Sequence, residues 1–335
     1  MPLARCSDNF TGYGYTTVMD KVKISQRDEI SRINAQSLWT RDFQADYGSL
    51  EHLAKRGPIL GSYFEGWYFK HQKGPDTLAV IVGRAEDGAF IQLVTQENSY
   101  RLRYPVSAYH KGETIRLADN RFSRDAVYLS VCHKDLEVSG YLHYDHLTPI
   151  CGDIMGPFRF LPMQCRHTVI SMNHTLTGKI CLNGRKIDFT GGKGYIEGDS
   201  GRSFPKSYTW VQCNDFNENC SIMASVAHIP FAWSWFWGCI CVVWLDGVEY
   251  RIATYRGAKI KHRDEKQLLL VQKDLSLKIL FLQPHAGYAL DAPHKGKMGR
   301  SIREVPGAPA YFEFRRGNRI LFQGESRFAG YEHVF

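Results

Sequence analysis

The run from Gly194 to Asn214, G-Y-I-E-G-D-S-G-R-S-F-P-K-S-Y-T-W-V-Q-C-N, and the shorter F-E-G-W-Y-F from Phe64 to Phe69 both set carboxylates beside large aromatic rings. A carboxyl group walled by apolar side chains loses hydration, which disfavours its charged form and leaves it able to donate a proton near neutral pH. Aromatic faces nearby stabilise a developing cation. These types offer a proton donor, a base and a cation-stabilising surface together, with Glu197, Asp199 and Glu65 as candidate acids and bases. Side chains alternate along a strand, so Tyr208, Trp210, Gln212 and Asn214 share one face and form a wall with polar handles. Trp67 and Trp235 add ring surface, Arg202 and Lys206 bring cations to the rim, and His228 joins Gln212 and Asn214 in orienting a hydroxyl. Each has a plainer role as well: Glu65 paired with a base such as Arg166, Asp199 with Arg202, His228 as a satisfied strand histidine, and the Trp233–Trp237 cluster as a gate or core.

These residues must be carried by antiparallel strands. Asp87-Gly88, Asn183-Gly184, Asp246-Gly247 and Gly317-Asn318 each separate two β-prone runs with the residues that two-residue hairpins require. Parallel strands need long crossovers, so the sheets are antiparallel. One helix is expected near the start, where Ile30, Ile33 and Leu38 fall at helical spacing behind Ser25 or Asp28. The apolar run Ile229–Leu245 is interrupted by Pro230, Ser234 and Gly238, too short for a bilayer helix and followed by a hairpin turn, so it reads as a buried strand with an aromatic loop. That loop is suited to transient contact with a membrane surface, because tryptophan favours boundaries between wet and apolar.

Composition narrows the class further. The 335 residues are 44% apolar, enough for a sizeable core, and 18 Tyr, 19 Phe and 30 Gly suit a turn-rich β protein. The net charge of +8 is dispersed and lacks interleaved stacking aromatics, which argues against nucleic acid as a partner. Nine cysteines without C-x-x-C give neither a disulfide framework nor a zinc ribbon, and Cys239 and Cys241 read as small hydrophobes on one strand face. The first twenty residues lack a basic start followed by an apolar stretch, so the chain is read as cytoplasmic. The string G-D-S-G lacks the context of a serine protease, H-Y-D-H places its imidazoles on opposite strand faces, and G-G-K-G lacks phosphate-loop spacing. No metal and no cofactor are expected, and oligomeric state leaves no trace in the spacing.

F-E-G-W-Y-F followed by F-P-K-x-x-x-W-V-Q-C-N resembles the tocopherol cyclase family over about Ser62 to the C-terminus. The resemblance implies an all-β fold of two lipocalin-like antiparallel units, as in related carotenoid hydratases. The expected division is 1–57 as an N-terminal extension, 58–160 as the first unit and 161–335 as the second, with the boundary in the Gly- and Pro-broken segment 149–166. It also implies a cofactor-independent cyclase or isomerase that closes a ring on a small hydrophobic or aromatic ligand such as a prenylated phenol. The alternatives are a carrier of such a ligand, or a hydratase or hydrolase using the same carboxylates. Plant members read N-W-G-G-G-F-P-R-K-W-F-W where this chain reads D-S-G-R-S-F-P-K-S-Y-T-W. Arg202 in that segment points to a ligand that is smaller or carries a carboxylate or phosphate.

Overall fold

The computed structural model describes residues 63–231, 234–282 and 286–335, arranged as two antiparallel sheets of 12 and 10 strands. The expected N-terminal helix and Trp233 lie outside the described residues. Three of the four expected turns form as read: Leu182 pairs with Arg185, Leu245 with Val248 and Arg316 with Arg319. Asn183, Gly184, Asp246 and Gly247 all take positive φ, as tight hairpins require. The fourth is displaced by one residue, because Ala85 pairs with Gly88 and the turn is therefore Glu86-Asp87.

Each sheet encloses a core of its own. Phe69, Val80, Ile91, Leu129 and Ile180 fill the first, and Val211, Ile222, Val243, Leu270 and Phe312 fill the second, where Cys239 and Cys241 also sit as small apolar groups. Leu102 and Tyr109 come from the two edge strands of the first sheet yet join one cluster, so that sheet rolls around its contents. Strand alternation then has a second consequence. Trp67 and Phe69 point into the first core, while Tyr68 joins a third apolar layer with Met172, Tyr195, Tyr208, Trp210, Val242 and Ile302. This layer lies where the outer faces of the two sheets press together.

The division between units falls at 202–207 rather than at 160. Strands Cys165–Leu182, Arg185–Asp188 and Lys193–Gly201 all complete the first sheet, and Tyr208–Cys213 opens the second. The Gly- and Pro-rich segment before Arg166 is instead a strap lying on the second sheet. Arg251 donates to the carbonyls of Cys151 and Asp153 at 2.8 and 2.9 Å, and the Tyr255 hydroxyl donates to that of Ile154 at 2.9 Å. The second unit reciprocates with strand Tyr288–His294, where the Gln92 amide donates to the Asp291 carbonyl at 2.9 Å and accepts from its N–H at 2.7 Å. Among the described residues no helix is long and apolar enough to cross a membrane.

Two histidines are buried in the first unit. Burial lowers the pKa of His71 to about 4 and, with the charge of His71 adding to the effect, that of His174 to about 3. An unfolded chain protonates both near pH 6.5, so stability is lost as pH falls from there toward 4. Urea midpoints measured from pH 7 to 4 should decline steeply for the wild type and less steeply for His174→Gln.

Candidate active site between the two sheets

Two rows of side chains face each other across the junction. In the first sheet the register aligns Gly66, Asp199 and His167 across three strands, with Tyr68, Glu197 and Val169 in the next row. In the second, Trp210 pairs with Glu332 and Glu332 with Glu304, again across three strands. Each row donates to the other: the Tyr68 hydroxyl to Glu304 Oε1 at 2.6 Å, and the Trp210 indole N–H to Glu197 Oε2 at 3.1 Å. The Tyr68 and Trp210 rings meet edge to face at 5.4 Å. Such a pair adds about 1 kcal/mol beyond the area it buries.

His167 lies between two carboxylates, with Nε2 3.3 Å from Glu197 Oε2 and Nδ1 3.0 Å from Asp199 Oδ1. Burial alone would strip its proton, but the charges of Glu197 and Asp199 outweigh burial and hold its pKa well above the ordinary histidine value. The three residues place ligand-type atoms within 4.8 Å of one another. Each ring nitrogen addresses a different carboxylate, the arrangement of an imidazolium shared between two acids. The approach to Glu197 is electrostatic rather than a well-aimed hydrogen bond, since His167 Nε2 has no hydrogen-bond partner. Glu197 Oε2 also accepts from the Tyr195 hydroxyl at 2.6 Å, so it faces only donors.

Glu304 is wholly buried, and its Oε2 has no partner. Burial pushes its carboxyl up to about 7, against the Tyr68 hydrogen bond and the Lys70 charge, which lower it, while the charge of Glu197 raises it further. Burial, then the charge of Glu304, lifts Glu332 well above the carboxylate range, although the Tyr208 hydroxyl donates to it. Two carboxyls this close do not both ionise readily. The junction therefore sets two carboxyls with raised pKa on the second sheet opposite the Glu197–His167–Asp199 set on the first.

A cavity of about 160 Å³ opens onto these groups. That is close to the roughly 150 Å³ that accommodates a benzene ring in an engineered core. Trp67, Tyr208 and Trp210 line it as expected, together with Glu197 and Asp199. Gly198 makes room for the Trp67 ring, since a Cβ there would come within 2.6 Å of it.

Several expected site residues lie elsewhere. Glu65 faces the first core, bound by Arg84 at 2.8 Å and Lys111 at 2.5 Å, so its partner is neither ligand nor Arg166. Gln212 shares a face with Trp210 but accepts from the buried Lys70 ammonium at 3.1 Å, and Asn214 donates to the Gly194 carbonyl at 2.9 Å; both tie strands together beyond the cavity. Arg202 and Lys206 are exposed and outside it, and no lysine or arginine is among the described lining residues, which removes the argument for an anionic ligand. His228 stacks on Trp235 and Trp237 at 5.1 and 5.0 Å, and Trp235 is 52% exposed, so neither reaches the cavity. Sequence reasoning missed His167, Glu304 and Glu332. The available signal was an acid at an inward-facing strand position: Glu304 follows Ile302, and Glu332 sits within Y-E-H-V at the very end.

Residues 106–230 match a family model described as tocopherol cyclase-like. Over that span the chain is similar to the tocopherol cyclase family. The match takes in His167, Glu197, Asp199 and the F-P-K-S-Y-T-W-V-Q-C-N string, but neither F-E-G-W-Y-F nor Glu304 and Glu332. No curated protein sequence matches the chain. Two solved structures share its fold. One is a candidate AttH from Nitrosomonas europaea, 12% identical, with a TM-score of 0.50 over 87% of this chain and 99% of that one. The other is kievitone hydratase from Nectria haematococca, 11% identical, with a TM-score of 0.50 over 82% and 89%.

Removing the imidazolium leaves buried Glu197 and half-buried Asp199 without a counter-charge. His167→Leu should lose about 3 kcal/mol or more in urea titrations near pH 6. Because the folded-state pKa is raised, the stabilisation by His167 is complete below about 6.5 and declines above it. The gap between wild type and variant should therefore narrow toward pH 9, and a gap that stays constant would contradict the assigned charge.

Proposed function

We propose that the protein is an enzyme that adds a hydroxyl group across a carbon–carbon double bond of a neutral, largely apolar ligand, by acid–base catalysis at the junction of its two units. The observation that carries this reading is the unpartnered Oε2 of Glu304, a buried carboxyl with a raised pKa among the residues that line an apolar cavity beside the Glu197–His167–Asp199 set. The fold shared with kievitone hydratase and the tocopherol cyclase-like match support the same class of chemistry.

Glu304 donates its proton to one alkene carbon, the π pair forming the new C–H bond. The cation left on the other carbon faces the rings of Tyr68 and Trp210, a stabilisation of about 2 kcal/mol per desolvated contact. A hydroxyl oxygen captures the cation and releases its proton to the carboxylate of Asp199 or Glu197. Return of that proton to Glu304 closes the cycle. When the oxygen is the ligand's own, a ring closes; when it is water, the product is an alcohol. Glu197, Asp199 and Glu65 were the expected acids and bases; here the donor is on the second sheet and the acceptors are on the first.

Purified protein incubated in D₂O with a panel of prenylated phenols and terpenoids should convert at least one compound with uptake of one carbon-bound deuterium, read by mass spectrometry. An isobaric product apart from that label marks cyclisation, and a gain of one water marks hydration. Glu304→Gln should bind the compound and slow conversion about a hundredfold or more. The wild-type rate should fall as pH rises through about 7. Retention of unchanged ligand by both proteins would make this a carrier.

A further inference from the structure

The hairpin formed by strands Cys220–Phe231 and Ser234–Leu245 presents different chemistry on its two faces. Ile229 and Gly238 line the cavity, and Phe236 packs on Phe158, another lining residue, at 6.1 Å. On the other face Trp235 and Trp237 are 52% and 42% exposed, each stacked on His228. The Arg263 guanidinium lies 4.3 Å over the Trp237 ring. Arg263 ends strand Lys259–Arg263, the edge of the second sheet, whose Lys259 and Lys261 side chains are exposed. Large indoles held in the open by stacking, beside a basic sheet edge, are not explained by folding. Single exposed aliphatics such as Val248 and Leu282 are ordinary, but paired tryptophans flanked by cations are the composition of a membrane–water boundary.

We propose that this hairpin face docks the protein on an anionic lipid bilayer, with Trp235 and Trp237 at headgroup depth and Lys259, Lys261 and Arg263 against lipid phosphates and carboxylates. Charge complementarity selects the occupant: the chain carries a net charge of +8, and each Lys or Arg near such a surface contributes a gain of roughly fivefold in binding. Indole rings suit this depth because their bodies are apolar and their N–H groups seek water. The opposite face of the same hairpin walls the cavity, so docking brings the cavity beside the phase in which an apolar ligand accumulates. The inference stands whether the cavity performs chemistry or only holds its ligand.

The test is sedimentation of the full chain with vesicles of phosphatidylcholine alone and of phosphatidylcholine with phosphatidylserine. The protein should bind the anionic vesicles and be released by high salt. Trp235→Ser/Trp237→Ser should weaken binding tenfold or more, and Lys259→Glu/Lys261→Glu, at exposed positions that leave packing untouched, should weaken it at least as much. Circular dichroism and melting of each variant must match the wild type. Absence of binding, or equal binding by folded variants, overturns the proposal. So does a dimer in light scattering that the tryptophan substitutions abolish, which would assign this face to a second copy of the chain.

Discussion

The structure depends on one reciprocal exchange: an aromatic donor from each sheet binds a buried glutamate of the other, Tyr68 to Glu304 and Trp210 to Glu197. Without it, the outer faces of two rolled sheets would meet as apolar surfaces with four polar groups desolvated between them, each unmet group costing about 1–3 kcal/mol. With it, the acids are held at fixed positions across a gap rather than on one wall. The strap on the second sheet and strand Tyr288–His294 on the first clasp the junction from either side and keep the two rows opposed.

The same junction separates the two kinds of acid. On the first sheet, His167 is placed by register beside Asp199, and its charge offsets those of buried Glu197 and half-buried Asp199. On the second, Glu304 and Glu332 face each other across the ladder, with tyrosine donors in place of a cation in contact. Raised carboxyls on one wall and the Glu197–His167–Asp199 set on the other give one cavity groups suited to donate and to accept protons. The buried Lys70, two residues beyond Tyr68 on the same strand face, tempers Glu304 from a distance while its ammonium is held by Gln212 and the Phe328 carbonyl.

The fold was legible in the sequence where local chemistry dictates it. Asn183-Gly184 and Asp246-Gly247 announce their hairpins because few other residues accept positive φ at both positions. The unit boundary was not, because the same Gly and Pro signals serve a linker and a strap equally well, and only pairing of Cys165–Leu182 with the first sheet distinguishes them. For the site, Glu197, Asp199, Tyr208, Trp210 and Trp67 were visible as acids and rings in strand context. Gln212 and Asn214 were placed on the right face but too far along the strand. Glu304 escaped because its meaning comes from Tyr68, 236 residues away, and from a neighbour, Glu332, on the last strand. Contacts of that span are set by topology, which single-strand periodicity does not encode.

The central claim is that Glu304 is a neutral acid in the resting protein near neutral pH. Carbon-13 NMR of protein labelled at glutamate Cδ, titrated from pH 4 to 9 with the resonance assigned by its loss in Glu304→Gln, addresses it directly. The account predicts a midpoint near 7 for Glu304. A midpoint in the ordinary carboxylate range would remove Glu304 as the proton donor and contradict it.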